Sequence, residues 1–259
     1  MSEITHAKIT ENSQIAQDIF DLRIYSPKQA ALAAPGQFLG IYTGNGAMLL
    51  PRPLSICEID APGGHLRVVY RIVGGGTKEI AGMAPGGHLR ILGPLGNGYA
   101  IDNTHRNFAI VGGGLGVPPL LGLAASIRKA VPDAKISVYL GFRDKAAVIL
   151  QQDFGKFADE IIICTDDGSH GTHGNVIEAA RGGDFEIAYG CGPPLMLKAL
   201  AQYAGQANVP CHVSVEEHMA CCVGTCLACA VKVRQEGVAV INKRACCDGP
   251  VFNAREVVW

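Results

Sequence analysis

The sequence predicts a multidomain chain: an antiparallel β-barrel over residues 1–100, a doubly wound α/β domain over 101–215 and a small cysteine-rich domain over 216–259. Three changes of pattern predict it. Short β-type runs punctuated by Pro-Gly pairs fill the first stretch, and strands alternate with helices in the second. In the third, periodicity fades and six of the ten cysteines gather. At 259 residues the chain is long for one ordinary domain.

Composition narrows the function classes. Hydrophobic residues at 48% and charged residues at 17% leave ample material for a core. A net charge of −1, with basic residues scattered along the chain, argues against nucleic acid as a partner. No stretch has the apolar length to span a bilayer, so no membrane role is expected. The polar start MSEITHAKITENSQ lacks the layout of a signal peptide, and the expected location is cytoplasmic. In that reducing compartment the cysteines serve as ligands or core thiols rather than disulfides.

In the first unit, β-type runs at 19–25, 37–42, 65–72 and 88–92 are separated by turns at Pro35-Gly36, Pro62-Gly63 and Pro85-Gly86. Only a short helical stretch at 76–82 interrupts them. The segment Arg52-Pro53-Leu54-Ser55-Ile56 is expected between two barrel strands. An arginine there suits a diphosphate and a serine hydroxyl suits a flavin ring, with the proline fixing the backbone so that both face one side. A turn with an incidental arginine is the competing reading. Val69-Tyr70-Arg71 and Gly74-Gly75-Gly76-Thr77 add weight to the first, because glycine amides opening a helix can wrap a pyrophosphate. The FAD candidates are Arg52, Pro53, Leu54, Ser55, Val69, Tyr70, Arg71, Gly76 and Thr77.

The second unit reads as strand 107–111, helix 118–130, strand 136–140, helix 146–157, strand 160–164, helix 174–180, strand 185–189, helix 194–204 and strand 212–215. Gly112-Gly113-Gly114-Leu115-Gly116 joins its first strand to a helix, the context a phosphate-binding loop needs, although the run is not GxGxxG. Cys191-Gly192-Pro193 ends a later strand where ligands of open α/β sheets bind. A proline-capped helix start with a buried cysteine is the plainer account. Asp166, in Asp166-Asp167-Gly168-Ser169, ends another strand or sits in an ordinary acidic turn. The nicotinamide candidates are Gly112, Gly113, Gly114, Gly116, Asp166, Cys191, Gly192 and Pro193. Arg143 suits a 2′-phosphate and Asp144 a ribose hydroxyl, which leaves NAD and NADP both open.

The third unit holds Cys221, Cys226 and Cys229 in C-x4-C-x2-C, with Cys246 after sixteen intervening residues. Zinc sites usually pair two short knuckles. A four-residue first gap matches plant-type [2Fe–2S] spacing, since the longer loop can aim amides at cluster sulfurs. Gly224, Thr225 and Ala228 are small enough to permit that approach. Cys222 and Cys247 blur the register, and zinc or buried free thiols remain the alternatives. A segment this short cannot bury enough apolar area alone, so a metal centre is expected to organise it.

In this order RPLSI (52–56), YRIVGGGT (70–77), GGGLGVPP (112–119), TDDGS (165–169), CGPPLM (191–196) and EEHMACCVGTCLAC…CCDGPVF (216–252) resemble one family. It is the electron-transfer subunit of type B dihydroorotate dehydrogenase, within the ferredoxin–NADP+ reductase superfamily. The resemblance covers essentially the whole chain. RPLS and CGPP are shared across the superfamily, whereas the terminal motif is narrower. The resemblance implies an FAD barrel, an NAD-binding domain and a [2Fe–2S] domain with ligands Cys221, Cys226, Cys229 and Cys246. It also implies a partner, an FMN-containing dihydroorotate dehydrogenase catalytic subunit, in a heterotetramer of two of each. Electrons from dihydroorotate would then pass through cluster and FAD to NAD+ in de novo pyrimidine (UMP) biosynthesis. A family member typically has glycine where this chain has Cys222, and no cysteine where it has Cys247. Related flavin and [2Fe–2S] subunits of hydrogenases, sulfhydrogenases or NADH-dependent ferredoxin:NADP+ oxidoreductases are the nearest alternatives, and a zinc-stabilised binding module is the alternative of another class. The expected docking face spans 219–225 and 248–252, and no catalytic side chain is expected beyond the cofactors.

Overall fold

The computed structural model describes residues 3–235 and 238–259. Strands β1 (Glu3–Ala16), β2 (Ile19–Tyr25), β3 (Phe38–Tyr42), β4 (Arg52–Asp60), β5 (His65–Arg71) and β6 (His88–Leu95) close a barrel in the order β1-β2-β5-β4-β3-β6. Every neighbouring pair is antiparallel. Alternation explains its core: Leu22 and Ile24, Leu39 and Ile41, Leu66, Val68 and Tyr70 point inward at period two and are buried. Helices α1 (Pro27–Leu32) and α2 (Gly75–Ala81) flank the strands, and Ile80 of α2 joins the core. Strand β1 hides in a polar sequence because little of it beyond Ala7 and Ile9 faces inward. The RPLSI stretch does not lie between strands. It begins β4, with Arg52 opposite Ile41 and Ser55 opposite Phe38.

The second unit runs β7 (Asn107–Gly113), α3 (Pro118–Ala130), β8 (Lys135–Phe142), α4 (Gln151–Phe154), β9 (Glu160–Thr165), β10 (Thr172–His173), α5 (Val176–Ala180), β11 (Ile187–Cys191), α6 (Pro194–Gln206) and β12 (Cys211–Ser214). These strands are parallel, with β8 and β11 on opposite sides of β7. The order reverses at β7, and the C-terminal ends of β7 and β11 open a crevice there. Pro118 and Pro119 start α3 with preset φ, and Leu120, Leu121, Leu123, Ala124 and Ile127 bury its face. Each fully buried leucine contributes about 1.5–3 kcal/mol. The helix expected over 146–157 shrinks to four residues. Asp144 accepts from the Ala147 amide at 3.0 Å and tightens residues 145–147 into a 3-10 turn. Val148 is then extended and Leu150 takes φ +61°, so helix starts only at Gln151.

The cysteine segment is more ordered than its sequence suggests. It contains a hairpin, β13 (Ala230–Gln235) with β14 (Val238–Arg244), and then β15 (Val251–Asn253), which pairs antiparallel with β12. Cys222, Cys229 and Cys246 share a continuous core with Val213, Leu197 and Leu200 of the sheet and α6. Tertiary packing, not metal alone, therefore organises this segment. The other face of the sheet packs through α3 on the barrel. Gly122 approaches the Cys57 carbonyl so closely that a Cβ would sit 3.0 Å from it.

Candidate functional site

A cleft of about 670 Å³ lies where barrel and sheet meet. The β1–β2 turn, with Asp18, and Arg71 of β5 form its barrel wall. Gly113, Gly114, Asp166, Pro193 and Met196 form the wall at the strand ends. The topology puts them there, because β7 and β11 end side at side at the switch point. Gly114 has φ +53° and nothing within 4 Å of a Cβ position, so its backbone faces open space. Gly112 and Gly116 work behind it: a Cβ at Gly112 would meet Val117 at 2.9 Å, and one at Gly116 would overlap the Cys191 carbonyl. Cys191 itself is buried, and burial pushes its thiol well up. Gly192 opens instead onto a second cavity of about 400 Å³ beside Glu216 and Trp259.

Asp167 builds the turn beside Asp166 by accepting from the Ser169 amide at 2.9 Å and hydroxyl at 2.6 Å. At the end of β8, Arg143 Nε donates to Asp144 Oδ2 at 2.8 Å, and that bond foremost holds the Asp144 carboxyl below its usual range. The lining residues Asp18 and Asn175 lie outside every motif, and Met196 closes CGPPLM without being singled out as a binding residue. Of the first two only Asn175, which caps α5 by accepting from the Ile177 amide at 2.8 Å, leaves a sequence signal.

The barrel candidates gather in part. Arg52 reaches α2, where a Cβ on Gly76 would overlap its guanidinium, and its Nη1 donates to the Leu50 carbonyl at 2.6 Å. Thr77 Oγ1 accepts from the Val73 and Gly74 amides at 2.9 and 3.2 Å, which fixes the glycine turn. Pro53, Leu54 and Ser55 follow Arg52 along β4 and are half-buried. Val69 and Arg71 face away from the barrel interior, but Tyr70 points into it. There Tyr70 donates to Asn12 Oδ1 at 3.3 Å, and burial raises its phenol.

The four cysteine candidates come together as two pairs: the Cys226 side chain interacts with Cys221, and that of Cys229 with Cys246. Burial alone would raise the Cys221 thiol. Amides of Cys226, Val223 and Thr225, with the Cys226 side chain, outweigh it and bring the thiol to about 6. Amides aimed at sulfur are what an iron–sulfur loop supplies. Cys222 takes φ +61° and is buried, which pushes its thiol up to about 12. A left-handed backbone explains why glycine suits that position. Among the described residues no three His, Cys, Asp or Glu side chains converge on one ion. A cluster of two irons takes two thiolates on each, which the contacts of Cys226 with Cys221 and of Cys229 with Cys246 would supply.

Residues 216–258 match the family described as the iron-sulfur cluster binding domain of dihydroorotate dehydrogenase B. The chain is 39% identical over 255 residues to the "Dihydroorotate dehydrogenase B (NAD(+)), electron transfer subunit" of Clostridium perfringens, covering 98% of both. It is 41% identical over 262 residues to the protein of that name from Geobacillus kaustophilus, covering 98% of this chain and 99% of that one. The chain belongs to the family of dihydroorotate dehydrogenase B electron transfer subunits. A solved NADH-dependent reduced ferredoxin–NADP oxidoreductase superposes with a TM-score of 0.86 at 32% identity, over 98% of this chain and 90% of that one. The ferredoxin reductase of carbazole 1,9a-dioxygenase shares the fold alone, at 19% identity and a TM-score of 0.70 over 82% of this chain and 69% of that one. No helix among the described residues is long and apolar enough to cross a membrane.

Proposed function

We propose that this chain binds FAD and one [2Fe–2S] cluster and carries electrons from a dihydroorotate dehydrogenase catalytic subunit to NAD+ in pyrimidine (UMP) biosynthesis. The observation that carries it is the gathering of Cys221 with Cys226 at the surface and of Cys229 with Cys246 in the core beneath, beside a sheet whose switch-point crevice faces the barrel. The flavin exchanges electrons singly or in pairs and the cluster singly, which is the chemistry that links hydride to one-electron transfer. This chain's residues bind and orient. Arg52 and the Gly76–Thr77 turn hold the flavin diphosphate, and Ser55 addresses its ring. Gly113, Gly114, Asp166 and Pro193 receive the nicotinamide dinucleotide, with Gly112, Gly116, Cys191 and Gly192 setting the loop shape. Amides aimed at Cys221 lower its thiol toward the thiolate that a ligand must be.

The engagement of Arg143 by Asp144 leaves that arginine less free for a 2′-phosphate and supports NAD over NADP. The units at 1–100, 101–215 and 216–259, the FMN of the partner, a heterotetramer of two of each subunit and a cytoplasmic location complete the reading. Likeness to the ferredoxin–NADP oxidoreductase favours, as second reading, a related subunit serving another partner. Copurification with the FMN protein followed by assay with dihydroorotate and NAD+ separates the two. NAD+ reduction is expected, and a complex that reduces NAD+ only with another donor overturns the first reading.

A further inference from the structure

One thiol beside the fourth ligand position is left over by the C-x4-C-x2-C…C pattern. Cys246 and Cys247 are adjacent in the turn after β14, where neighbouring side chains ordinarily diverge. Their Sγ atoms nevertheless lie 3.6 Å apart. Two thiolates on one tetrahedral metal, with metal–sulfur bonds near 2.3 Å, sit about 3.8 Å apart. The pair is therefore spaced like two sulfurs that address the same iron. Cys229 meets Cys246 as well, but no three of these side chains converge on one ion among the described residues. Four thiolates hold such a cluster, and Cys221, Cys226, Cys229 and Cys246 supply four, so Cys247 is placed to replace Cys246 rather than to join it.

The surroundings favour such an exchange. Cys247 is half-buried, whereas Cys246 is fully buried. The Cys247 sulfur rests on the ligand loop, where a Cβ at Gly224 would sit 2.7 Å from it. Arg244 ties that loop to the turn: Nη1 donates to the Gly224 carbonyl at 3.2 Å, while Nε and Nη2 donate to the Asp248 carboxylate at 2.9 and 3.1 Å. Asn97 Nδ2 donates to the Cys247 carbonyl at 3.1 Å from the barrel side. With the backbone held at both ends, exchange asks for side-chain rotation rather than loop refolding. Cys222, the other spare thiol, is fixed by burial and by its left-handed backbone.

We propose that Cys247 is a reserve ligand for the iron held by Cys229 and Cys246, an inference that rests on the cluster reading above. In the exchange the iron–sulfur bond to Cys246 breaks and one to Cys247 forms. Cys247 gives up its thiol proton, Cys246 takes one up and no electron moves. A momentary loss of the fourth bond then leads to recapture instead of iron release.

The test uses the full-length, flavin-loaded chain isolated anaerobically as wild type, C246S, C247S and C246S/C247S. Iron, acid-labile sulfide and the electron paramagnetic resonance spectrum are read for each. C246S is expected to keep about half or more of the wild-type iron with an altered spectrum, and the double variant about a tenth or less. A flavin-loaded C246S as poor in iron as the double variant overturns the proposal. Independently, C247S is expected to lose iron to a chelator about threefold faster than wild type, because recapture is gone. Equal rates overturn it too. An iron-free wild type sinks the cluster reading itself, which is a different result from an iron-loaded wild type beside an iron-free C246S.

Discussion

At Gly76 and Gly116 the absence of a Cβ decides what each loop can do. Gly76 lets the Arg52 guanidinium lie across the start of α2. G76A displaces that side chain, and FAD retention is expected to fall about tenfold, read as flavin absorbance per chain after gel filtration. Gly116 lies against backbone, the Cys191 carbonyl and the Gly192 amide, which cannot rotate aside. G116A is therefore expected to cost about 2–3 kcal/mol in urea unfolding. G114A meets no atom and strains only its left-handed φ, so about 1 kcal/mol is expected. Equal losses for the two variants would contradict this ordering.

Among the elements, the junction of β2, β5 and α4 ties barrel to sheet. Arg67 on β5 donates from Nε to Asp21 at 3.0 Å and pairs through Nη2 with Asp21 at 2.7 Å and Asp153 of α4 at 3.4 Å. Asp21 is 4% exposed and would keep only the more distant Arg23, at 3.9 Å, so R67A leaves a buried carboxylate poorly paired. That variant is expected to lose about 3–5 kcal/mol, measured by denaturant unfolding. Burial alone would raise the Asp153 carboxyl, but Lys156 and Arg67 more than offset it and hold it below the usual range. A depressed carboxyl adds stability above its unfolded value of about 3.9, lost as pH falls through its lower folded value. D153N is thus expected to flatten the fall in unfolding midpoint below about pH 4. An unchanged pH profile would remove Asp153 from the junction's energetics.

For the molecule as a whole, the cores show which parts depend on iron. The barrel core holds none of the six clustered cysteines, while the sheet core on the α6 side holds Cys222, Cys229 and Cys246. Removing iron with a chelator is expected to lower the thermal midpoint of the sheet and cysteine segment but to leave FAD bound. Flavin fluorescence and far-ultraviolet circular dichroism, followed together on heating, check it. Coincident release of flavin and iron would show that one cooperative unit spans both cores. C226S adds a functional reading: NADH oxidation with a soluble two-electron acceptor persists, while dihydroorotate-linked NAD+ reduction in the complex falls about a hundredfold or more.

Much of this was legible because its signals are local. Glycine runs at strand ends, alternation in β2 and β5, prolines opening α3 and α6, and the C-x4-C-x2-C spacing all lie within a few residues of one another. They determined the barrel, the parallel sheet and the thiols that pair. Only the tertiary structure decided that Tyr70 points into the barrel, that Cys191 is sealed behind Gly116, that β15 joins the sheet beside β12 and that Cys247 faces Cys246. The reason is one of range. Propensity and spacing act along the chain, whereas each of these placements depends on which distant surface arrives to exclude water from the side chain.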